Sequence, residues 1–336
     1  SEGMFWGHNA IVRVRAFASS CGLPPLRGNP PFGGHVMSHD YVEAAMLAKH
    51  NWMVRLDDDL EGSFEEGPEN LVDHAKRDRR WCQGNLQHSR IIGAPGLKAW
   101  SRFVFAQGIM AYISPLFWLG FILASIAAPL LAPPTNYFPE PNWPFPYFPP
   151  SEASKAIGLF IGIFVLLLLP KILIAAQAGL NGRAKGFGGA GMGFVSTLSE
   201  LVLSSITAPI FLMYATRSVM QVLMGRDGGW PTNNRGDGTL GWGESLSASW
   251  WIVAIGVVGL AATWAFAPGL MLWLLPVGVP MVVAPAILRW TSLPSRGRIM
   301  GVPTEYAPAA VMQLHDAILE RWTVELEAAR DPSEAA

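Results

Sequence analysis

The sequence predicts an α/β head followed by a polytopic block of membrane α-helices. Charged side chains make up only 15% of the 336 residues, against about 25% in a typical soluble domain. They are also unevenly spread. Residues 1–100 carry 23 of the 49 charges, while none lies between Arg102 and Glu140 or between Glu244 and Arg289. Strand-like and helix-like segments alternate in the first 90 residues, and the later apolar runs are long enough to span a bilayer core, which takes about 20 residues.

The formal net charge of −1 supplies no basic field for nucleic acid, and none is expected as a partner. The two cysteines, Cys21 and Cys82, have no metal-like spacing and suit a reducing compartment. Ser1 to Gly7 read as the middle of a domain, so a longer natural polypeptide is expected, and this stretch alone is expected to be inactive.

In the head, Ala10–Val14 reads as a strand, residues 19–37 as a Gly/Pro loop, and Ser38-His39-Asp40 as the start of a helix with Val42, Ala45, Met46 and Ala48 on its apolar face. Trp52–Leu56 reads as a second strand and residues 57–68 as an acidic loop. Asn70 to about Ser89 reads as a second helix. Residues 91–102 form a basic amphipathic interfacial segment with Lys98, Trp100 and Arg102.

The membrane block covers 103–290, with crossings near 108–132, 155–179, 248–267 and 270–290. Residues 133–150 lack Lys and Arg and belong outside, while 181–189 carry Arg183 and Lys185 and belong inside. Lys171 falls within an apolar run and must snorkel or pair. Residues 190–224 hold Glu200 and Pro209. An interfacial or re-entrant path there keeps Arg226, Arg235, Arg289, Arg296 and Arg298 inside and is preferred over an additional crossing. Residues 291–336 form a cytosolic tail with one amphipathic helix near 308–329.

Two clusters suit sugar-transfer chemistry. Asp40, at a loop-to-helix junction, could be the general base that deprotonates an attacking hydroxyl; alone, it reads at least as well as a helix cap. Arg77-Asp78-Arg79-Arg80-Trp81 could clamp a diphosphate and offer an aromatic face to a pyranose; alone, it reads as a solvated charge run beside a core tryptophan. Asp57-Asp58-Asp59 is better explained as a solvated acidic loop than as a metal site, and no histidine shows metal-ligand spacing.

The order of these pieces resembles family 2 glycosyltransferases fused to membrane helices, such as cellulose, hyaluronan and mannan synthases. Phe5-Trp6-Gly7-His8-Asn9-Ala10 resembles their acceptor loop. Ser38-His39-Asp40 occupies the Thr-Glu-Asp place, and Arg77 to Trp81 the Gln-x-x-Arg-Trp place. The departures from those two motifs, with Ser-His-Asp-Tyr-Val-Glu-Ala and Lys-Arg-Asp-Arg-Arg-Trp-Cys-Gln-Gly-Asn, are similar to the branch that builds the β-glucose backbone of osmoregulated periplasmic glucans in Gram-negative bacteria.

The resemblance implies a GT-A fold whose C-terminal portion is residues 1–90, embedded in the inner membrane with its catalytic part cytosolic. It implies inverting transfer from UDP-glucose to a growing β-glucan. Asp40 is then the base, Arg77 and Arg80 hold the donor diphosphate, and Trp81, Gly7, His8 and Asn9 meet the acceptor. Trp230, Thr232 and Arg235 resemble a gating loop. The resemblance also implies a divalent metal (Mg or Mn) with ligands upstream, and an acyl carrier protein as partner. Another processive synthase is the nearest alternative. A transporter, suggested by Lys171 and Glu200, would not need the first 100 residues and shows no repeated half.

Overall fold

A computed structural model describes residues 7, 9–57, 67–133, 136–138, 144–148, 153–226, 238–294 and 299–330. The chain divides into two compact units, one of residues 1–133 and 206–294, the other of residues 134–205 and 295–336.

The first unit begins with two short helices, α1 (Val14–Ser20) and α2 (His39–Lys49). No strand of a sheet forms among the described residues; Leu26 and Gly34 make an isolated antiparallel bridge. Both expected strands are therefore corrected. From Val14 the chain turns helical because Ala16 and Ser20, four apart, share one buried face. The Trp52–Leu56 stretch stays irregular, with Trp52 and Val54 packed against the Ala16, Cys21 and Leu47 cluster. The α/β expectation for the head is thus not met by the described residues.

Helix α3 (Leu71–Gln87) starts at the N-cap Asn70, whose side chain accepts from the Asp73 amide at 2.9 Å. Its last turns, Cys82 to Gln87, are all buried although half of them are polar. Three clusters explain why. The start of α3 (Leu71, Val72) packs on the core made by Ile210, Met213, Ile252, Met281, Ala284, Ile287 and Leu288. Cys82 and Leu86 pack with Val219, Val222, Ile109 and Ile113. The end of α3 meets the loop before α2. There a side chain at Gly84 would collide with Ser38, its Cβ lying 2.8 Å from the Ser38 backbone nitrogen.

Helix α4 (Ala99–Leu131) is one continuous 33-residue helix. Arg102 gathers its entry, donating to the carbonyls of Ile92, Ala94 and Leu97. Pro115 lacks the amide that would bond the Ala111 carbonyl, and the Ser114 hydroxyl donates to that carbonyl instead, at 2.9 Å. Helix α7 (Trp242–Phe266) is followed by α8 (Met271–Val282) and α9 (Ala284–Ser292). The segments 268–282 and 284–292, where a crossing at 270–290 is expected, meet at a 61° bend, the geometry of a broken span or of a re-entrant loop.

The second unit holds α5 (Ala153–Leu180), the first part of α6 (Ala190–Leu223), and the short α10 (Pro303–Tyr306) and α11 (Ala310–Arg330). Helix α5 buries no residue against protein, which suits a helix solvated by lipid. Lys171 pairs with Glu200 of α6 at 2.6 Å, and Ser204 donates to the same carboxylate. Residues 190–223 run as one 34-residue helix through Pro209 rather than breaking there. Among the described residues four helices (α4, α5, α6 and α7) are long and apolar enough to cross a bilayer; this is a membrane protein.

His88, just past α3, is fully buried between Tyr41 and Phe105, with its Nε2 3.5 Å from the Ser38 carbonyl. Burial pushes its pKa down to about 4. The unfolded chain takes up this proton near pH 6.5, so His88 favours folding fully above that pH. The contribution is lost as pH falls toward 4, by about 3 kcal/mol in all. We predict that unfolding midpoints in detergent fall between pH 6.5 and 4.5, and that His88→Phe flattens this slope; an unchanged slope in the variant refutes the assignment. Gly84→Val should destabilise the fold by about 1–3 kcal/mol through overpacking against Ser38, read as a lower midpoint of thermal unfolding.

Candidate functional site

Helix α3 places Arg77, Arg80 and Trp81 three and four residues apart, on one face. The guanidinium of Arg77 lies over the Trp81 ring at 4.5 Å from its centroid. Trp81 still keeps 38% of its surface exposed, leaving ring surface for a ligand. The Nε of Arg77 is buried with no hydrogen-bond acceptor among the described residues. Burial and the adjacent Arg77 charge both push the Arg80 pKa down. Two crowded cations with an unused donor form a place that favours an anion.

The remaining two charges of the run turn elsewhere. Asp78 accepts from the Tyr112 hydroxyl at 3.0 Å, and burial raises its pKa despite that bond. Arg79 donates to Gln221 and to the Arg226 carbonyl, at 3.0 and 2.7 Å. The expectation of three arginines acting together is therefore narrowed to Arg77 and Arg80.

Asp40 sits in the first turn of α2, partly exposed. Its position is set from α3. Gln87, 1% exposed, accepts from the Met37 amide at 2.9 Å and donates to the carbonyls of Gly33 and His35 at 3.3 and 3.1 Å. The loop 33–37 is thus held by one side chain, and Ser38 lies against Gly84, one turn beyond Trp81. Ser38 makes no side-chain cap to α2, and neither does Asp40 at its place inside the first turn. His39 pairs with Glu43 at 3.1 Å, a structural role.

The N-terminal loop reaches the same place. Gly7 lies so close to Asp40 that a Cβ there would sit 2.8 Å from Oδ2, and its φ of +89° suits glycine. Asn9, with φ of +52°, is exposed on the same loop. His8 lies outside the described residues, as do Trp230, Thr232 and Arg235. Asp57 pairs with Arg55 at 2.7 Å; Asp58 and Asp59 lie outside the described residues.

Sequence reasoning missed Gln87, Gly84 and Tyr112. The only available signal was a polar Gln-Gly-Asn-Leu-Gln stretch following an arginine run, which reads as solvent-facing. Cys82, beside it, is buried and its thiol pushed up to about 12, so it is no nucleophile at neutral pH. Among the described residues no group of three or more His, Cys, Asp or Glu side chains could hold a metal ion. The divalent metal that the resemblance implies has its expected ligands upstream of these residues, and no step below runs through it.

A curated protein from Cereibacter sphaeroides named glucans biosynthesis glucosyltransferase H is 68% identical over 320 residues, covering 95% of this chain and 54% of that protein. Proteins of the same name from Rhodopseudomonas palustris and Shewanella baltica are each 39% identical, over 326 and 349 residues; they cover 96% and 99% of this chain and are themselves covered to 45% and 48%. The chain spans about half the length of the curated relatives it matches. The family description Glycosyl transferase family group 2 fits residues 2–177, just over half of the chain. On these matches, the chain belongs to glycosyl transferase family group 2.

Proposed function

We propose that this chain carries the acceptor-side half of an inverting glucosyltransferase that moves glucose from UDP-glucose to a growing β-glucan destined for the periplasm. The observation that carries the reading is the convergence of three separate segments: Gly7 against Asp40, and Ser38 against Gly84 one turn from Trp81. The names of the relatives support glucose as the sugar.

In the proposed step, the acceptor hydroxyl oxygen bonds to the anomeric carbon and its proton passes to the Asp40 carboxylate. The bond from that carbon to the diphosphate oxygen breaks, and its electron pair leaves with UDP. The positive charges of Arg77 and Arg80 stabilise the negative charge that develops there. Trp81 stacks on the acceptor glucose through its remaining ring surface, and Gly7, His8 and Asn9 border the acceptor.

The head (1–90) is read as the helical portion of a GT-A domain, 91–102 as interfacial, 103–290 as the membrane block and 291–336 as a tail. We place the head in the cytosol and the helices in the bacterial inner membrane. The bond from Arg79 to the Arg226 carbonyl supports a position for the chain after α6 on the same side as the head, as a gating role for Trp230, Thr232 and Arg235 requires. An acyl carrier protein as partner rests on the family resemblance alone.

In the full-length polypeptide, Asp40→Asn should lower glucan synthesis by about 10²–10⁴ while UDP binding, measured by calorimetry, stays within about twofold. Synthesis at the wild-type rate would sink Asp40 as the base. Trp81→Ala should stop chain extension while hydrolysis of UDP-glucose persists; equal loss of both activities would make Trp81 a packing residue only.

A further inference from the structure

Two short stretches, 221–226 and 238–241, flank residues 227–237, and α3 holds both. At the first, Arg79 donates from Nε to Gln221 and from Nη2 to the Arg226 carbonyl. The stretch turns at Gly225 (φ +79°), and the Arg226 amide bonds back to the Gln221 carbonyl at 2.9 Å. At the second, Asn70 Nδ2 donates to the Gly238 carbonyl at 3.0 Å while its Oδ1 caps α3. Leu240 is then fixed from α9: its amide donates to Ser292, and its carbonyl accepts from Arg289 at 2.8 Å.

Asn70 and Arg79 stand nine residues apart, so the two stretches are pinned about 14 Å apart along one helix axis. That helix also carries Arg77, Arg80 and Trp81. Arg79 projects roughly 200° around the helix from Arg77, so it serves the far side of α3 while its neighbours face the site. The guanidinium makes two directed bonds to two different groups, which a lysine ammonium on a single stem reproduces poorly.

We infer that Arg79 and Asn70 are positioning residues: they tie both stretches to the site helix, and donor binding at Arg77 and Arg80 depends on them although neither touches the donor. This rests on the donor-site reading above. Beside the Arg79 bonds, Val219 and Val222 near the end of α6 make apolar contacts with Cys82 and Leu86 of α3. Such contacts permit sliding and rotation that directed bonds forbid.

The test uses the full-length protein in membranes, with Arg79→Gln, Arg79→Lys and Asn70→Ser; serine keeps the cap and loses the bond to Gly238. Arg79→Gln should raise KM for UDP-glucose about tenfold, the scale of one lost charge-assisted bond, with kcat changed less than about threefold; Arg79→Lys should recover part of it. Hydrogen–deuterium exchange should quicken in 221–226 for the Arg79 variants and in 238–241 for Asn70→Ser, and stay unchanged in α7. Unchanged exchange in those stretches overturns the inference, as does a fall in kcat at constant KM. A raised KM without faster exchange also overturns it, since Arg79 would then meet the donor itself. If exchange responds as expected but the wild-type protein does not use UDP-glucose, the anchoring stands and the donor reading fails.

Discussion

The approach of Ser38 to Gly84 sets the geometry on which the rest of the head depends. Any side chain at position 84 would push the start of α2 away from α3, and with it Asp40 from Trp81. The approach is held by polar bonds as well as by shape. Gln87 satisfies one amide and two carbonyls of a loop whose own backbone pairing joins Gly34 to Leu26 and Gly33 to Asn29. Buried backbone groups left without partners would each cost about 1–3 kcal/mol, so a single glutamine stabilises a whole loop.

Helix α3 works as an axle with different duties along its length. Its first turn rests on the membrane-helix core through Leu71 and Val72. Its middle offers Arg77, Arg80 and Trp81 on one side and sends Asp78 to Tyr112 and Arg79 to the end of α6 on others. Its last turns carry the loop that carries Asp40. The proposed donor contacts, membrane packing and loop support thus meet on 17 residues, and a rotation of α3 would disturb all of them together.

Much of this was legible in the sequence, for identifiable reasons. The places of α2, α3 and α11 followed from apolar and charge spacing, which are local signals. The spacing of Arg77, Arg80 and Trp81 already put them on one face. What failed was non-local. Ile11, Val12 and Val14 suggest a strand by composition, yet Ala16 and Ser20 bury a helical face that begins at Val14. Asn85 and Gln87 look solvent-facing because what they meet is distant: the loop 33–37 for Gln87 and, for Asn85, Gly108 of α4, which approaches too closely to bear a side chain. Glu200 and Pro209 suggested a break in 190–224, but Glu200 has a partner in Lys171 and the helix runs through the proline. None of these partners could be assigned before the fold brought them together.

The Lys171–Glu200 pair bears on how charge is carried within apolar helices. A lone ammonium within α5, or a lone carboxylate within α6, would enter lipid only at a cost of about 2.5–3.5 kcal/mol or more. Joined at 2.6 Å, with Ser204 completing the carboxylate's shell, the two charges neutralise each other. Each charge is therefore less costly in an apolar surrounding beside its partner than alone. Nine residues, 181–189, connect the two helices, so the two charges are brought together over a short stretch of chain.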